Sequence, residues 1–303
     1  MELKEQEIFF SSPSFSPPTR RWWSEETVAI VTGANKGIGF ALVKRLAQLG
    51  LTVILTARHP TRGHQAFHSL KSQPGFQHLH FFPLDVSSLA SIASFVSWFQ
   101  RHFGLLDILV NNAAVSFNDI DENSVEHAET VMKTNFYGPK RLTEALLPFF
   151  RRTPPSMARV LNVSSRLGLL NKMDNPNIVK ILQDEERLSE EHIESMVKLF
   201  LDNVKSGTWK NQGWPAIWTD YSVSKLALNA YSRVLAKRFE GLGLSVNCFC
   251  PGYTQTTMTG GRGTHTADTA AMVAAKLALL PPEELPSGKF YKGVSRPLTY
   301  SRL

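Results

Sequence analysis

The sequence predicts one α/β domain with a doubly wound parallel sheet, and three observations support this fold class. Short apolar segments alternate along the 303 residues with segments that have the periodicity of amphipathic helices. The hydrophobic fraction of 43% and the charged fraction of 19% are typical of a globular chain that buries a large core. Finally, the first apolar segment leads into a glycine-rich loop and then a helix. Apolar strands in regular alternation with helices indicate a parallel sheet covered on both faces.

The first strand, Val28–Val31, precedes the loop, and a helical pattern then continues until Gly50. Glycines in such a loop allow a tight turn, and they let the backbone approach a pyrophosphate that binds at the helix N-terminus. An ordinary glycine-rich turn is the alternative. The loop residues predicted to bind a dinucleotide are Gly33, Asn35, Lys36, Gly37, Ile38 and Gly39.

The remaining elements follow in order. Strands are predicted at 52–58, 79–84, 106–110, 159–163, 244–249 and 288–291, and helices at 62–71, 88–103, 125–150 and 221–239. Residues 1–26 are interpreted as an extension whose Trp22 and Trp23 pack back on the domain. Residues 27–303 are interpreted as one Rossmann-type domain with a helical insert at about 171–219. No apolar run in the sequence is long enough to span a bilayer.

Ligands of open parallel sheets bind outside the carboxyl ends of the strands. Several polar or glycine-containing segments follow the predicted strands directly. They are Gly33–Gly39, Arg58, Asp85-Val86, Asn112-Ala113, Ser164-Ser165 and Pro251-Gly252. We therefore expect them to share one site. Asp85 and Val86 are predicted to lie at the adenine, although Asp85 and Ser87 fit the role of helix N-caps equally well.

Two cations favour NADP(H) over NAD(H). A unit that prefers NAD(H) has an acid near the end of the second strand, where this sequence has Arg58. Lys36 lies in the glycine loop, and an arginine can bind a 2′-phosphate through two hydrogen bonds. The alternative is that both residues are solvated surface charges.

Tyr221 and Lys225 are four residues apart and therefore share one face of the predicted helix. A phenol with a pKa of about 10 exchanges protons poorly at neutral pH. An adjacent ammonium is expected to lower that pKa, so the pair is predicted to serve proton transfer to a carbonyl oxygen beside a nicotinamide. A Tyr-x3-Lys pair by itself is common. Its place, after the Ser164-Ser165 strand end and at the start of a long helix, carries the interpretation.

With these motifs in this order, residues 27–295 resemble the short-chain dehydrogenase/reductase family. The resemblance rests on Thr-Gly-x3-Gly-x-Gly, Asn111-Asn112-Ala113, Asn135, Ser165, Tyr221 with Lys225, and Pro251-Gly252. It implies that Tyr221 is the general acid/base and that Lys225 holds the nicotinamide ribose. Ser165 is implied to bind the substrate oxygen, and Asn135 a water of the proton relay. Asn112 and Pro251, Gly252, Thr254 and Thr256 are implied to line the cofactor.

The sequence departs from the family's pattern at Ala114, where glycine is frequent, and at Thr254, where an apolar residue is common. Neither change removes a group that the chemistry needs. A helix in which Asn135 bonds only to backbone is the structural alternative to its proposed role.

The insert before Tyr221 resembles that of the carbonyl reductase branch, which includes menthone and salutaridine reductases of plants. Ile193, Val197 and Phe200 give it an apolar stripe at helical spacing, and Gly213-Trp214-Pro215 turns the chain back toward Tyr221. The resemblance implies that the insert covers the helices by which other relatives pair. We therefore expect a monomer whose insert borders the substrate cleft. The alternative is that the helix is additional core.

The net charge of +7 and the isoelectric point near 9.4 are explained by a nucleotide cofactor as well as by nucleic acid. Cys248 and Cys250 alternate along a strand and are expected to be buried free thiols. The histidines lack metal-ligand spacing, so no metal site is predicted. A cytoplasmic location is expected. Serines and Arg20-Arg21 are similar to a plastid transit peptide, but early glutamates argue against one.

Together these patterns predict NADP(H)-dependent reduction of a ketone or aldehyde, or the reverse oxidation of an alcohol. The expected partner is a small molecule, not nucleic acid or a membrane. The alternative function is a dinucleotide-binding regulator without turnover on the same scaffold. The substrate pocket is expected to be built by residues 115–120, 166–175 and 255–270, which match no pattern that identifies the substrate.

Overall fold

The computed structural model describes residues 6–8, 21–117, 123–152, 157–281, 286–293 and 298–303. Its strands are β1 Gln6–Ile8, β2 Val28–Val31, β3 Thr52–Ala57, β4 Leu79–Pro83, β5 Ile108–Asn111, β6 Ala158–Val163, β7 Leu244–Cys250, β8 Lys289–Lys292 and β9 Leu298–Arg302. Its α-helices are α1 Gly37–Gln48, α2 Pro60–Lys71, α3 Leu89–His102, α4 Val125–Met132, α5 Gly138–Leu146, α6 Pro176–Gln183, α7 Glu190–Lys205, α8 Thr219–Arg238 and α9 Ala267–Leu279.

The strands form one sheet in the order β1-β9-β8-β7-β6-β5-β2-β3-β4. In this spatial order, every neighbouring pair between β8 and β4 is parallel. In contrast, β9 is antiparallel to β8, and β1 is antiparallel to β9. The predicted fold class is confirmed. The two antiparallel strands at the β8 edge were not predicted, and β1 belongs to the segment that the sequence indicated as an extension.

The sheet reverses its winding at β2, which pairs with β3 on one side and β5 on the other. The residues of β2, β3 and β5 are buried throughout, as expected for strands covered on both faces. Such a reversal opens a crevice outside the carboxyl ends of the strands. The segments that follow β2, β3, β4, β5, β6 and β7 all face this edge, which therefore positions the candidate site.

The tryptophan pair packs back on the domain as predicted. Trp23 is buried, and the Trp22 indole donates a hydrogen bond to the carbonyl oxygen of Leu279 at 2.9 Å. The Trp22 ring also stacks on the buried guanidinium of Arg159, 4.3 Å from the ring centroid. The extension is thus fixed to the sheet and to the end of α9. The serine- and proline-rich part of the extension lies outside the described residues, and the division into extension and domain remains a prediction.

The insert contributes to the core. Ile193, Val197 and Phe200 of α7 are buried in the same cluster as the main helices, against α4 and α8. On the outside, the Lys140 ammonium on α5 forms ion pairs with Glu190 and Glu194 of α7. The helix is therefore held by apolar burial and by charge. Among the residues that the structure describes, no helix is long and apolar enough to cross a membrane.

Candidate active site

The glycine loop joins β2 to α1 and needs glycine at three positions. Gly33 and Gly37 have φ values of +63° and +58°, a region that side chains with a Cβ disfavour. Gly39 needs glycine for space, because a Cβ there would lie 2.5 Å from the Asn112 amide nitrogen. The loop thus forms a tight cradle at the start of α1. Ile38 is half-buried in it, while Lys36 is exposed.

The end of β5 braces this loop. The Asn112 side-chain amide donates to the carbonyl oxygens of Thr32 at 2.9 Å and Gly33 at 3.2 Å. In return, the Thr32 hydroxyl accepts hydrogen bonds from the backbone N–H groups of Asn112 and Ala113, each at 3.0 Å. Asn112 therefore shapes the loop through its side chain, in addition to the cofactor contact proposed for it.

A cavity of about 450 Å³ lies beside the loop at the start of α2. It is lined by Asn35, Phe40, Arg62, Gln65, Ala66 and Ser69. Arg62 reaches this place because the following residue, Gly63, packs directly on the Phe81 ring; a Cβ at Gly63 would lie 2.3 Å from that ring. Arg58 and Lys36 are both exposed. The cation that lines the cavity, Arg62, was not predicted. Its position four residues after Arg58, at the start of the predicted helix, is the signal that sequence reasoning could have used.

Asp85 and Val86 follow β4. The Asp85 carboxylate accepts hydrogen bonds from the Ser87 backbone N–H at 2.9 Å and the Ser87 hydroxyl at 2.7 Å. The N-cap of α3 is Ser88, which accepts from the N–H of Ser91. The alternative that Asp85 or Ser87 caps the helix is therefore wrong. Val86 is buried against Gly138, where a Cβ would come within 2.9 Å of its side chain.

Ser165, Tyr221 and Lys225 come together as predicted. Ser165 lies just beyond β6, and its hydroxyl is close enough to the Tyr221 side chain to lower the pKa of that phenol. The Lys225 ammonium, one turn along α8, donates to the Val163 carbonyl oxygen at 2.8 Å and lies 5.5 Å from the centroid of the Tyr221 ring. A hydroxyl, a phenol and an ammonium thus converge at the carboxyl end of β6.

The expected direction of the Tyr221 pKa shift is wrong for this structure. Burial raises the pKa of Tyr221, the neighbouring Cys250 adds to this, and the nearby Ser165 hydroxyl lowers it by less. Burial also lowers the pKa of Lys225 to about 8. The reason is geometric, since the ammonium bonds to a backbone carbonyl and not to the phenol oxygen. Tyr221 is consequently a protonated phenol at neutral pH, the form that donates a proton.

Asn135 lies in a π-helix, Lys133–Tyr137, that interrupts the helical segment predicted at 125–150. Its side chain bonds to both backbone groups of Val115, at 2.9 Å each, and donates to the Ser224 hydroxyl at 3.1 Å. That hydroxyl donates in turn to the Tyr221 carbonyl oxygen at 2.7 Å. The Asn135 side chain is therefore occupied in holding the loop after β5 and the start of α8. π-helical turns are frequent at functional sites because they displace backbone carbonyls from the regular pattern.

The turn after Ser165 packs on α8, which carries Tyr221 and Lys225, through Gly168, a residue that sequence reasoning missed. A Cβ at Gly168 would lie 2.4 Å from the carbonyl carbon of Lys225. The sequence carries no local signal for this, because the contact depends on where the turn meets α8. The thiol of Cys250 also touches the turn, accepting from the backbone N–H of Arg166 at 3.3 Å. Cys248 and Cys250 are buried and free, as predicted.

The segment after β7 forms a closed loop. The Thr254 hydroxyl is 2.8 Å from the Nε2 atom of His265, and the Gln255 N–H donates to the His265 carbonyl oxygen at 2.9 Å. A Cβ added at Gly37 would be 3.5 Å from Thr256, so this segment reaches the glycine loop. Thr254 is thus a polar anchor at the position where the family's pattern is apolar, and the segment Pro251–Thr256 borders both parts of the site.

The two ends of the site suit an extended dinucleotide. Ser165, Tyr221 and Lys225 lie at the end of β6, while Arg58 follows β3, three strands away in the sheet and thus about 14 Å across. The glycine cradle lies between them, at β2. The backbone space at Gly33, Gly37 and Gly39 and the polar cavity around Arg62 fit the pyrophosphate and adenosine parts of such a molecule.

Comparisons with known proteins agree with this arrangement. Residues 27–177 and 203–267 match the family model described as short chain dehydrogenase. The chain is 38% identical over 291 residues to (+)-neomenthol dehydrogenase of Arabidopsis thaliana, covering 88% of this chain and 97% of that protein. It is 35% identical to carbonyl reductase [NADPH] 1 of Homo sapiens, covering 87% and 95%. The structure of salutaridine reductase from Papaver somniferum superposes with a TM-score of 0.81 at 35% identity, covering 87% and 99%.

Proposed function

The chain belongs to the short-chain dehydrogenase family, and on that premise we propose that it reduces a ketone or aldehyde with NADP(H), or catalyses the reverse alcohol oxidation. The observation that carries the proposal is the convergence of Ser165, Tyr221 and Lys225 at the strand end beside the glycine cradle. Relatives named as dehydrogenases and reductases of carbonyl or alcohol groups support it.

In this mechanism the bound NADPH supplies the hydride that the carbonyl carbon accepts. Ser165 donates a hydrogen bond to the carbonyl oxygen, and Tyr221 transfers its phenolic proton to the same oxygen as charge develops there. The raised pKa of Tyr221 keeps this proton in place until the transfer. Lys225, whose pKa of about 8 leaves it largely charged at neutral pH, holds the nicotinamide ribose and stabilises the phenolate that results.

We propose that Asn135 holds a water of the proton relay, which is the role expected from the family resemblance. Its two amide hydrogens are used by Val115 and Ser224, so its side chain has little capacity left for a solvent molecule. We assign the water-holding role to the main-chain carbonyl of the π-helical turn, with the side chain fixing that turn in place. An Asn135→Asp substitution tests this division: it keeps the acceptor but loses both donated bonds, to the Val115 carbonyl oxygen and to Ser224, and should lower kcat more than it raises KM for NADPH.

The preference for NADP(H) rests on Arg58, Lys36 and Arg62 near the adenosine end. The human relative named carbonyl reductase [NADPH] 1 supports this preference. Arg62 lines the cavity, and Lys36 and Arg58 are exposed in the segments that follow the neighbouring strands β2 and β3, so three cations are available to a 2′-phosphate. Measured Kd values for NADPH and NADH test the proposal. Tighter binding of NADPH that is lost in an Arg58→Ala, Arg62→Ala protein supports it; equal Kd values would reject it.

We also propose that the protein is a monomer in which α7 covers the helices by which relatives pair. The burial of Ile193, Val197 and Phe200 of α7 and the ion pairs of Lys140 support this, since both hold α7 against α4, α5 and α8. Sedimentation at micromolar concentration should give one species of the chain's mass, and a stable tetramer would contradict it. The cytoplasmic location remains a prediction.

The catalytic assignment is tested by NADPH oxidation with a panel of aromatic and terpenoid ketones. Turnover on at least one member, lost in Tyr221→Phe while NADPH still binds, supports the reductase. Tight NADPH binding without turnover on any carbonyl or alcohol would favour the dinucleotide-binding regulator.

A further inference from the structure

Trp218 has an unusual backbone conformation. Its φ and ψ of +47° and +57° lie in the left-handed region, and every other described residue with a φ in that region is a glycine. A bulky side chain is disfavoured there, so it persists only where its surroundings or its function require it. Trp218 is the last residue before α8 and lies three positions ahead of Tyr221.

Backbone geometry explains the turn but not the tryptophan. The Trp218 carbonyl oxygen accepts from the Ser222 N–H at 2.7 Å, and the Ser222 hydroxyl donates to the Ile217 carbonyl oxygen at 2.6 Å. The Thr219 hydroxyl donates to the Pro215 carbonyl oxygen at 2.8 Å. These bonds fix the turn without using the indole. Glycine or asparagine would adopt the left-handed conformation with less strain, and asparagine is also common at helix starts.

The indole instead contacts the catalytic phenol. The Trp218 and Tyr221 rings are 6.0 Å apart between centroids and cross at 83°, the edge-to-face arrangement that aromatic pairs favour. Trp218 is half-buried, whereas Tyr221 is buried, and the neighbouring Ile217 is 55% exposed. Part of the indole surface is thus open beside the one phenol that the reaction uses, next to an exposed aliphatic side chain.

We propose that Trp218 is a positioning and specificity residue, which holds the Tyr221 ring through one part of the indole and binds a flat, unsaturated ring of the substrate with its open part. The inference rests on the proposed reductase function. It assigns the substrate class as ketones whose carbonyl is attached to, or lies within, an aromatic or conjugated ring. The insert then borders the substrate through its final residues. Backbone strain is maintained here because the ring is needed at this place and not elsewhere along the turn.

Three variants separate the ring from the backbone. Trp218→Asn removes the ring and suits the left-handed turn, whereas Trp218→Phe keeps an aromatic ring. Trp209→Asn removes a half-buried tryptophan elsewhere in the insert and is the matched control. Two substrates with the same carbon skeleton, acetophenone and cyclohexyl methyl ketone, differ only in whether the ring is flat and unsaturated.

We expect Trp218→Asn to raise KM for acetophenone about tenfold, as loss of one aromatic contact implies, with a much smaller change for cyclohexyl methyl ketone. Its kcat should fall for both ketones because Tyr221 loses its neighbour, while KM for NADPH stays constant. Its melting temperature should stay constant or rise by about 2 °C as strain is relieved. Trp218→Phe should restore most of the activity, and Trp209→Asn should leave the kinetics unchanged.

Unchanged ketone kinetics in Trp218→Asn would overturn the proposal. So would equal losses for both ketones together with a lower melting temperature, since the ring would then serve stability alone. A binding measurement separates failure of this inference from failure of the reductase function. In Tyr221→Phe saturated with NADPH, calorimetry should show acetophenone binding about tenfold more weakly once Trp218→Asn is added. Equal binding in the two proteins would overturn the inference whether or not the wild type turns over any ketone.

Discussion

Replacing Gly168 by alanine inserts a methyl group between the Ser165 turn and the catalytic helix. The new Cβ would lie 2.4 Å from the carbonyl carbon of Lys225 and 2.6 Å from the backbone nitrogen of Leu226. The φ of Gly168 is outside the left-handed region, so alanine is allowed by its own backbone and the effect is steric. Carbon atoms need about 3.5 Å, so the turn and α8 must separate by about 1 Å.

This displacement changes the distance between Ser165 and Tyr221, on which the proposed proton transfer depends. The turn carries Ser165, whose hydroxyl lies near the Tyr221 phenol, and α8 carries Tyr221 and Lys225. The Gly168 carbonyl oxygen also accepts from the Asn229 amide at 2.8 Å, a bond that the shift would stretch. Overpacking costs about 1–3 kcal/mol of unfolding free energy, and a misplacement of about 1 Å in an active site costs about a hundredfold in rate. We expect kcat/KM for the ketone to fall about a hundredfold.

The assay pairs urea unfolding with steady-state NADPH oxidation for Gly168→Ala and a control. In Gly243→Ala the new Cβ lies 2.5 Å from the Arg152 carbonyl oxygen, at the opposite end of β7, where φ is +73°. The control should lose at least as much stability yet keep the kcat of the folded protein. Wild-type kcat/KM in Gly168→Ala, or an equal loss of kcat in the control, would refute the proposed link between this contact and catalysis.

Four further predictions concern Lys225, Lys140 and Trp22. Lys225 has a pKa of about 8 in the folded protein and should lose its charge as the pH rises. We therefore expect kcat/KM for reduction to fall above about pH 8. A pH–rate profile that is flat to pH 10 would argue against a catalytic role for the charged form of Lys225. In the unfolded chain the lysine keeps its proton up to its ordinary pKa of 10.5. The unfolded chain therefore binds more protons than the folded one between about pH 8 and 10.5, and this group should make the free energy of unfolding increase with pH in that range. Lys140→Met removes the ion pairs with Glu190 and Glu194. It should lower the free energy of unfolding by about 1 kcal/mol and speed hydrogen exchange in α7, while kcat stays unchanged. The control is Lys205→Met, at an exposed ion pair with Glu129, which should leave both the stability and the exchange rate unchanged. Trp22→Ala removes the hydrogen bond to Leu279 and the stacking on buried Arg159. It should lower the free energy of unfolding by about 2–4 kcal/mol without altering KM for NADPH. A variant as stable as the wild type would show that Trp22 does not fix the extension to the domain.

Local patterns predicted the parallel part of the fold because each signal lies within a few residues. The apolar run Val28–Val31 is buried on both faces, and the glycines after it adopt the conformations that glycine permits. Tyr221 and Lys225 share a face because helical spacing alone requires it. Because the carboxyl ends of parallel strands lie at one edge of the sheet, Ser165 was predicted to lie near Tyr221 and Lys225.

Features that depend on distant contacts were not predicted. β1 and β9 pair over almost the whole length of the chain, and short polar strands at an edge have no marked periodicity. Gly168 and Trp218 carry out their roles through the position of a turn against α8, which no sequence window contains. The predicted direction of the Tyr221 pKa shift is wrong for a similar reason. The spacing placed an ammonium nearby but gave neither the burial of the phenol nor the bond from Lys225 to Val163.

The central claim is that Tyr221 donates the proton while hydride reaches a carbonyl carbon. A single-turnover experiment tests it most directly: enzyme saturated with NADPH is mixed with a ketone that the wild type reduces, and the loss of NADPH absorbance is followed in wild type and Tyr221→Phe. Both proteins should bind NADPH with the same Kd, and the wild type should oxidise it in one rapid phase. The substituted protein should oxidise it at least a hundredfold more slowly, as about 10²–10⁴-fold is typical for loss of a general acid. Equal single-turnover rates in the two proteins would contradict the claim.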